Sequence, residues 1–426
     1  MSRPAVVPLT RSEWGLILVL VAVQFTHMVD FVIIMPLGER LMRELAINER
    51  QFGWVVAAYA WAAGIASLLA STVMDRFDRR AVLLTMYAGF VAATAFCGLA
   101  WDYPSLLLGR TLAGVFGGLA AVALITVIGD AFTAEKRGRA VGTVMSAFAV
   151  ASIAGLPIGL ILAAKYGRGA PFLVLAAVSA AVWGWAFVRL PSLRGHLRAE
   201  RPSRFGEFAA IAREPAHMWA FAFSFFLVLG TFTVASFIGP VLMSHNGWTE
   251  DRLSWIYLAA GLCTLAGMTV VGRLADQLPR RPLFQALGFG ALVMAVVVTN
   301  LPAGPLWVAA AVMSGFMVFA AGRMVPAQAI ILGVARPELR GGFMSLNTSV
   351  QHLATGLAPM IAGAVLHRDV KDGPLLGFPL VGLIAAAAAG ISLVLANFLT
   401  TASLPTVVPS AKPVEALDPV PEPLPA

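Results

Sequence analysis

Asp30, Arg110 and Arg323 normally carry a full charge, yet all three stand well inside long apolar runs of this sequence. At a bilayer centre each such residue costs about 2.5 to 3.5 kcal/mol on insertion scales, so each needs a cavity or a partner. An acid so placed can take up and return a proton. A nearby guanidinium favours its carboxylate and desolvation favours its acid, so the balance can change with conformation. Gln24, His27 and Asp30 recur every three residues, which sets them on one helical face and predicts a polar stripe lining water rather than lipid. Asp30 is about six residues from the outer end of its run and Arg110 about six beyond Pro104, a shared depth of roughly 9 Å at ~1.5 Å per residue. The pair reads either as a proton site or as a structural ion pair, and His27 as a hydrogen-bonded or a titrating histidine.

Arg323 follows a glycine, as Arg110 does, but it lies 17 residues before Arg340 where Arg110 lies 27 before Arg137. It is therefore expected nearer the inner face, as an inner-cavity or gate residue with Gln328 beside it. Asn347, Gln351 and His352 add polarity to a later run, and Thr231, Thr233 and Ser236 to another. Such groups bridge helices as often as they bind ligands.

The elements that must position these residues follow from composition. Of 426 residues 59% are hydrophobic and only 12% charged, with a mean hydropathy of +0.83. A hydrocarbon core of roughly 30 Å takes about 20 helical residues, and lipid leaves the backbone no other partners. Twelve runs are long enough: about 14–36, 51–73, 81–100, 104–128, 139–164, 169–190, 217–243, 252–275, 283–302, 305–333, 343–366 and 375–399. Strand alternation never persists, which excludes a barrel. The first run exceeds a signal-peptide core in length and lacks a small-residue cleavage site, so it is expected to be retained. Cys97 and Cys263 fall mid-run, where no disulfide is expected.

The net charge of +8 does not point to nucleic acid, because the basic residues are spread over short loops. With the N-terminus inside, 20 of the 30 Lys and Arg fall on the cytoplasmic side and 8 outside, leaving Arg110 and Arg323 within runs. Both termini are then cytoplasmic.

The longest polar interval carries Arg194, Arg198, Arg201, Arg204 and Arg213 and divides the chain into a bundle at 1–190, a linker at 191–216 and a bundle at 217–400. In the linker, Phe205, Phe208, Ile211 and Ala212 share a helical face, consistent either with a short surface helix or with an ordinary basic connection. Residues 401–426 hold seven prolines and predict a disordered cytoplasmic tail. Shifting the second bundle back by 201 positions lays Leu242, Met243, Trp255, Asp276, Arg280 and Arg281 on Leu41, Met42, Trp54, Asp75, Arg79 and Arg80. Gly356 and Leu357 fall on Gly155 and Leu156 at the same offset. Six spans return the chain to its starting side, so these are parallel repeats. The predicted fold is an all-α membrane protein of twelve transmembrane helices in two six-helix halves.

The charged turns STVMDRFDRR and GRLADQLPRR resemble the G-x-L-A-D-R-x-G-R-R turn of the major facilitator superfamily. The first copy matches through Asp75, Arg76, Arg79 and Arg80, and departs at Ser71 and Asp78. The second matches through Gly272, Leu274, Asp276, Arg280 and Arg281, with Pro279 in place of glycine. The resemblance covers residues 14–399. It implies that Asp75 and Arg79 engage an acid at the end of the fourth helix, for which Asp130 is the match, and lock the cytoplasmic gate. Helix 4, LLLGRTLAGVFGGLAA, is similar to the family's arginine-bearing helix, with Arg110 at a position associated with proton transfer in exporters. ASIAGLPIG, with Gly155, Pro157 and Gly159, resembles the helix-5 motif of drug:proton antiporters, with the proline one place late as in sugar- and purine-efflux permeases. A generic packing motif would look much the same.

The resulting expectation is a proton-coupled exporter of a small organic molecule in a bacterial inner membrane. Its partners are that substrate, protons and lipid; it acts as a monomer, without cofactor or metal. An importer or uniporter on the same fold is the alternative. A membrane sensor or intramembrane enzyme is disfavoured, since no G-x-S-x-G, H-E-x-x-H or phosphate loop is present. Substrate identity is not legible.

Overall fold

The computed structural model describes residues 9–73, 76–193, 204–336, 339–370 and 373–399. Asp75, residues 194–203 of the linker and the proline-rich tail lie outside the described residues, and the rest of the linker contains the short helix Arg204–Arg213. Twelve long helical segments follow one another: α1 (Arg11–Ile33), α2 (Glu49–Val73), α3 (Arg79–Leu99), α4 (Tyr103–Ala131), α5 (Glu135–Tyr166), α6 (Ala170–Arg189), α7 (Pro215–Asn246), α8 (Glu250–Gln277), α9 (Arg280–Thr299), α10 (Leu306–Val334), α11 (Arg340–Val365) and α12 (Phe378–Phe398). Eleven are long and apolar enough to cross a membrane. The other, α11, has 26 residues, and Asn347, Gln351 and His352 lower its hydropathy.

Local chemistry sets the ends and the breaks. Thr10 and Glu13 form a reciprocal capping box at the start of α1, and Asp102 and Ser105 do the same for α4. Asp78, a departure from the glycine usual in the charged turn, caps α3 by accepting from the Arg80 amide at 3.0 Å. It also accepts from the Leu193 amide at 3.1 Å, which ties the turn to the end of α6. Proline lacks an N–H, and its ring crowds the carbonyl four residues back. Each of Pro157, Pro240 and Pro326 follows an irregularity by a few residues: a π-helical turn at Ala151–Gly155 in α5, a break after Ala235 in α7, and a break at Arg323 in α10.

The halves repeat one packing plan. In the first, α2 and α3 pack on α4, and α6 packs on α1 and α3; in the second, α8 and α9 pack on α10, and α12 on α7 and α9. The halves meet along α2 with α11 and α5 with α8, and where the short helix Gly38–Glu44 touches the last part of α7. Backbones approach closely at the first of these seams. A Cβ on Gly53 would stand 2.5 Å from the Pro359 carbonyl, and one on Gly363 2.5 Å from that of Glu49.

The buried apolar side chains form one cluster that unites the halves at the end away from the charged turns, through Ile33, Leu37, Leu41, Phe52, Phe237, Val241, Leu253 and their neighbours. Toward the charged turns the clusters are separate, one belonging to the first half and one to the second. Large apolar side chains such as Ile65, Leu69 and Phe289 point outward, as a lipid-facing surface requires. Trp101, Tyr166, Trp255 and Trp307 are exposed near helix ends at one face, where amphipathic rings favour the headgroup layer.

Candidate functional site

Asp30 lies in the last turn of α1 and Arg110 in the second turn of α4, and both are 0% exposed. Arg110 Nη1 donates to Asp30 Oδ2 at 2.9 Å and to the Asp30 carbonyl at 3.1 Å. Thr94 of α3 donates to the other carboxylate oxygen at 3.2 Å. The Arg110 guanidinium carbon lies 4.4 Å from the ring centre of Tyr59 on α2, a cation–π contact in a desolvated setting. Four helices of one half therefore hold a single carboxylate and its counter-charge. Nε and Nη2 of Arg110, the Tyr59 hydroxyl and both ring nitrogens of His27 are buried with no hydrogen-bond partner.

His27 and Tyr59 converge on α4 at Gly117. A Cβ there would stand 2.8 Å from Tyr59 Oη and 3.1 Å from His27 Nε2. The expected water-lined stripe is corrected: Gln24, His27 and Asp30 are all buried. The reason lies one residue on, where Phe31 meets Phe232 of α7 at 5.8 Å between ring centres, with Phe52 and Phe237 in edge contact at 5.3 Å. These rings close the site at the end where the halves join.

Arg323, at the break in α10, is 2% exposed. Its Nη2 donates to Thr231 Oγ1 at 2.7 Å and to the Leu227 carbonyl at 3.1 Å, both on α7. Thr231 stands 201 positions after Asp30. Arg323 thus reaches the repeat-mate of Asp30 although it sits further along its helix than Arg110 does. Asn347 of α11 is fully buried with both amide atoms unpartnered, and Nε2 of Gln351 is likewise unpartnered. His352 lies against Gly64 of α2 across the seam between halves. Gln328 is half-buried on α10.

In the charged turns, Arg79 Nε and Asp130 Oδ2 pair at 2.9 Å, a bond inside the first half between the start of α3 and the end of α4. Arg80 donates to the Phe187 carbonyl at 2.6 Å, and Arg76 is exposed. The second copy has a different chemistry: Arg280 donates to the Ala329 carbonyl at 3.2 Å, Arg281 to that of Leu399, and Asp276 is exposed. Gly155 and Gly159 of α5 let Val29 and Ile33 of α1 approach, and Pro157 is buried beside the π-helical turn.

Sequence reasoning missed a second set of charges at the opposite end. Arg40 Nε pairs with Glu250 at 2.6 Å, and Arg368 with Glu39 at 2.6 Å and Glu49 at 3.1 Å. Each joins one half to the other. The hydrogen bond to Glu250 holds the Arg40 guanidinium above its ordinary pKa. Burial opposes the charge on Arg368, but the bonds to Glu39 and Glu49 outweigh it and leave its pKa raised. These residues stood in the sequence only as loop charges, with no periodicity to mark them.

A family model described as Major Facilitator Superfamily matches residues 20–359 and 220–424. Among curated proteins, the chain is 26% identical over 84% of its length to an uncharacterized MFS-type transporter of Bacillus subtilis, covering 90% of that protein. It is also 26% identical to the chloramphenicol resistance protein of Streptomyces lividans, covering 84% of this chain and 91% of that one. With a probable sugar efflux transporter of Pasteurella multocida the identity is 21%, over 83% and 84%. Among solved structures, the fold is similar to that of a D-xylose-proton symporter, with a TM-score of 0.71 at 15% identity over 89% of this chain and 97% of that one. It is also similar to an inward-facing, occupied bacterial homolog of the human lysosomal transporter Spinster, with a TM-score of 0.69 at 15% identity over 92% and 95%.

Proposed function

Because this chain belongs to the Major Facilitator Superfamily, a class of membrane transporters and not of enzymes, we propose that it exports a small organic molecule in exchange for protons. The observation that carries this reading is the Asp30 carboxylate, buried at 0% exposure with Arg110 on one oxygen and Thr94 on the other. Adding a proton to Oδ2 removes the charge that Arg110 pairs with. A buried pair broken on one side costs about 3 to 5 kcal/mol, enough to bias which way two rocking halves face.

The basic turns mark the cytoplasmic side of a bacterial inner membrane by the positive-inside rule. With the opposite end closed by the Arg40 and Arg368 ion pairs and the apolar clusters separate toward the turns, we read this conformation as the cytoplasm-facing one. Cargo enters between the halves. When they rock, the Arg40 and Arg368 bonds part, the turns around Arg79 and Asp130 close the cytoplasmic side, and Asp30 meets outside water and takes a proton. The return stroke releases that proton inside. Coupling requires that cargo and proton each prefer one orientation. Two relatives, a chloramphenicol resistance protein and a probable sugar efflux transporter, favour export.

The test is transport in proteoliposomes with labelled chloramphenicol, a panel of labelled sugars and labelled benzoate, with and without a pH gradient. Wild type accumulates a transported compound against its gradient. Asp30→Asn exchanges the same compound but does not accumulate it. Accumulation that survives in Asp30→Asn places the proton elsewhere, and accumulation only with inward proton flow in the same direction as cargo makes the protein an importer.

A further inference from the structure

The two unpaired N–H-bearing atoms of Arg323, Nε and Nη1, are buried without a partner, and Nη2 binds only neutral acceptors. Among the described residues no carboxylate pairs with this guanidinium. Its surroundings are built from three helices. Met324, the next residue, packs against an apolar cluster that includes Val228 and Leu229 of α7 and Ala354 and Ala358 of α11, with Leu357 at its edge. The same methionine also belongs to the cluster containing Phe343 and Leu346 of α11. Leu346 on one side and Ala354 and Leu357 on the other of the α11 stretch that bears Asn347 and Gln351 thus belong to the same clusters as the neighbour of Arg323. Phe226 and Phe232 of α7 belong to the adjoining apolar wall.

A cation held out of water with no counter-ion is costly. The group that satisfies it is an oxyanion, which accepts from a guanidinium in charge-assisted bonds and has lone pairs left for an amide donor. Asn347 and Gln351 supply such donors. Chemically neutral cargo would leave the guanidinium as it is.

We propose that Arg323, Asn347 and Gln351 form an anion site for the cargo: the transported molecule is a carboxylate with an apolar body, its carboxylate on Arg323 Nη1 and its body against Phe226 and Phe232. The proposal rests on the reading of the chain as a transporter with cargo between its halves. It assigns the cargo's charge to the second half and the proton to the first.

The experiment is a thermal-stability comparison of purified protein in low-salt HEPES. The probes are benzoate, phenylacetate and hexanoate, each paired with its amide, beside sodium chloride and sodium sulfate. Wild type should show a saturable rise in Tm with at least one carboxylate and none with the matching amide, chloride or sulfate. Arg323→Met should be at least as stable as wild type without ligand and lose the response completely. Thr231→Asp, which supplies an internal carboxylate to the same guanidinium, should also lose it. Asp30→Asn should keep it. The proposal is overturned if no carboxylate outperforms its amide, if Arg323→Met retains the rise, if that variant is clearly less stable without ligand, or if chloride or sulfate alone gives the same rise. A failure of the proton assignment is separate, since it is read from accumulation in Asp30→Asn and leaves these arms unchanged.

Discussion

The two halves share one packing plan but differ in how they treat a buried arginine. In the first, Arg110 meets Asp30 at 2.9 Å, with Tyr59 under the guanidinium and Thr94 on the remaining oxygen. In the second, Arg323 meets Thr231, the residue 201 positions after Asp30, and a backbone carbonyl. The charged turns differ in the same sense: Arg79 has the Asp130 carboxylate, whereas Arg280 has the Ala329 carbonyl. At these two places the first half pairs its arginine with a carboxylate, and the second gives its arginine only neutral acceptors. On the proposed reading, a proton and a cargo act on equivalent places of a duplicated fold with different chemistry.

That comparison can be broken at its strongest point first. Asp30→Asn is expected to eliminate gradient-driven accumulation in proteoliposomes while exchange persists. Arg110→Met leaves Asp30 buried alone, so stability in detergent should fall by about 3 to 5 kcal/mol, whereas Arg323→Met should show no such loss in the same unfolding assay. Glu250→Gln removes one bond between halves at the closed end. Glu250 is buried and the Arg40 side chain only 15% exposed, so the loss should exceed the roughly 1 kcal/mol of a surface pair, and spin-label distances between the short helix Gly38–Glu44 and α8 should report a larger open population. The smallest difference is expected at the turns, where Arg79→Ala should slow transport more than Arg280→Ala, because only the former loses a carboxylate partner.

Much of this was legible in the sequence for physical reasons. Lipid forces apolar helices of a fixed length, so the spans follow from hydropathy: 252–275 became Glu250–Gln277 and 305–333 became Leu306–Val334. Asp30 and Arg110 could be brought together because the helical rise converts residue number into depth. Thr94 and Tyr59 were missed because helix packing, not periodicity, decides which hydroxyl or ring meets a given charge. Thr231 carried a usable signal in its offset from Asp30, but depth alone set Arg323 apart from Arg110. The stripe of Gln24, His27 and Asp30 misled because periodicity reports a shared face and not what covers it. Here the cover is Phe31 on Phe232, a contact between residues 201 positions apart.

The division of labour is tested most directly by infrared difference spectra of the purified protein between acid and alkaline buffer, with no cargo present. Above the bands of the solvated acids that titrate alongside it, a protonated-carboxyl band at the higher frequency of a buried acid should appear in acid in wild type, vanish in Asp30→Asn and persist in Arg323→Met. A band unchanged by Asp30→Asn would contradict the assignment of the proton to the first half.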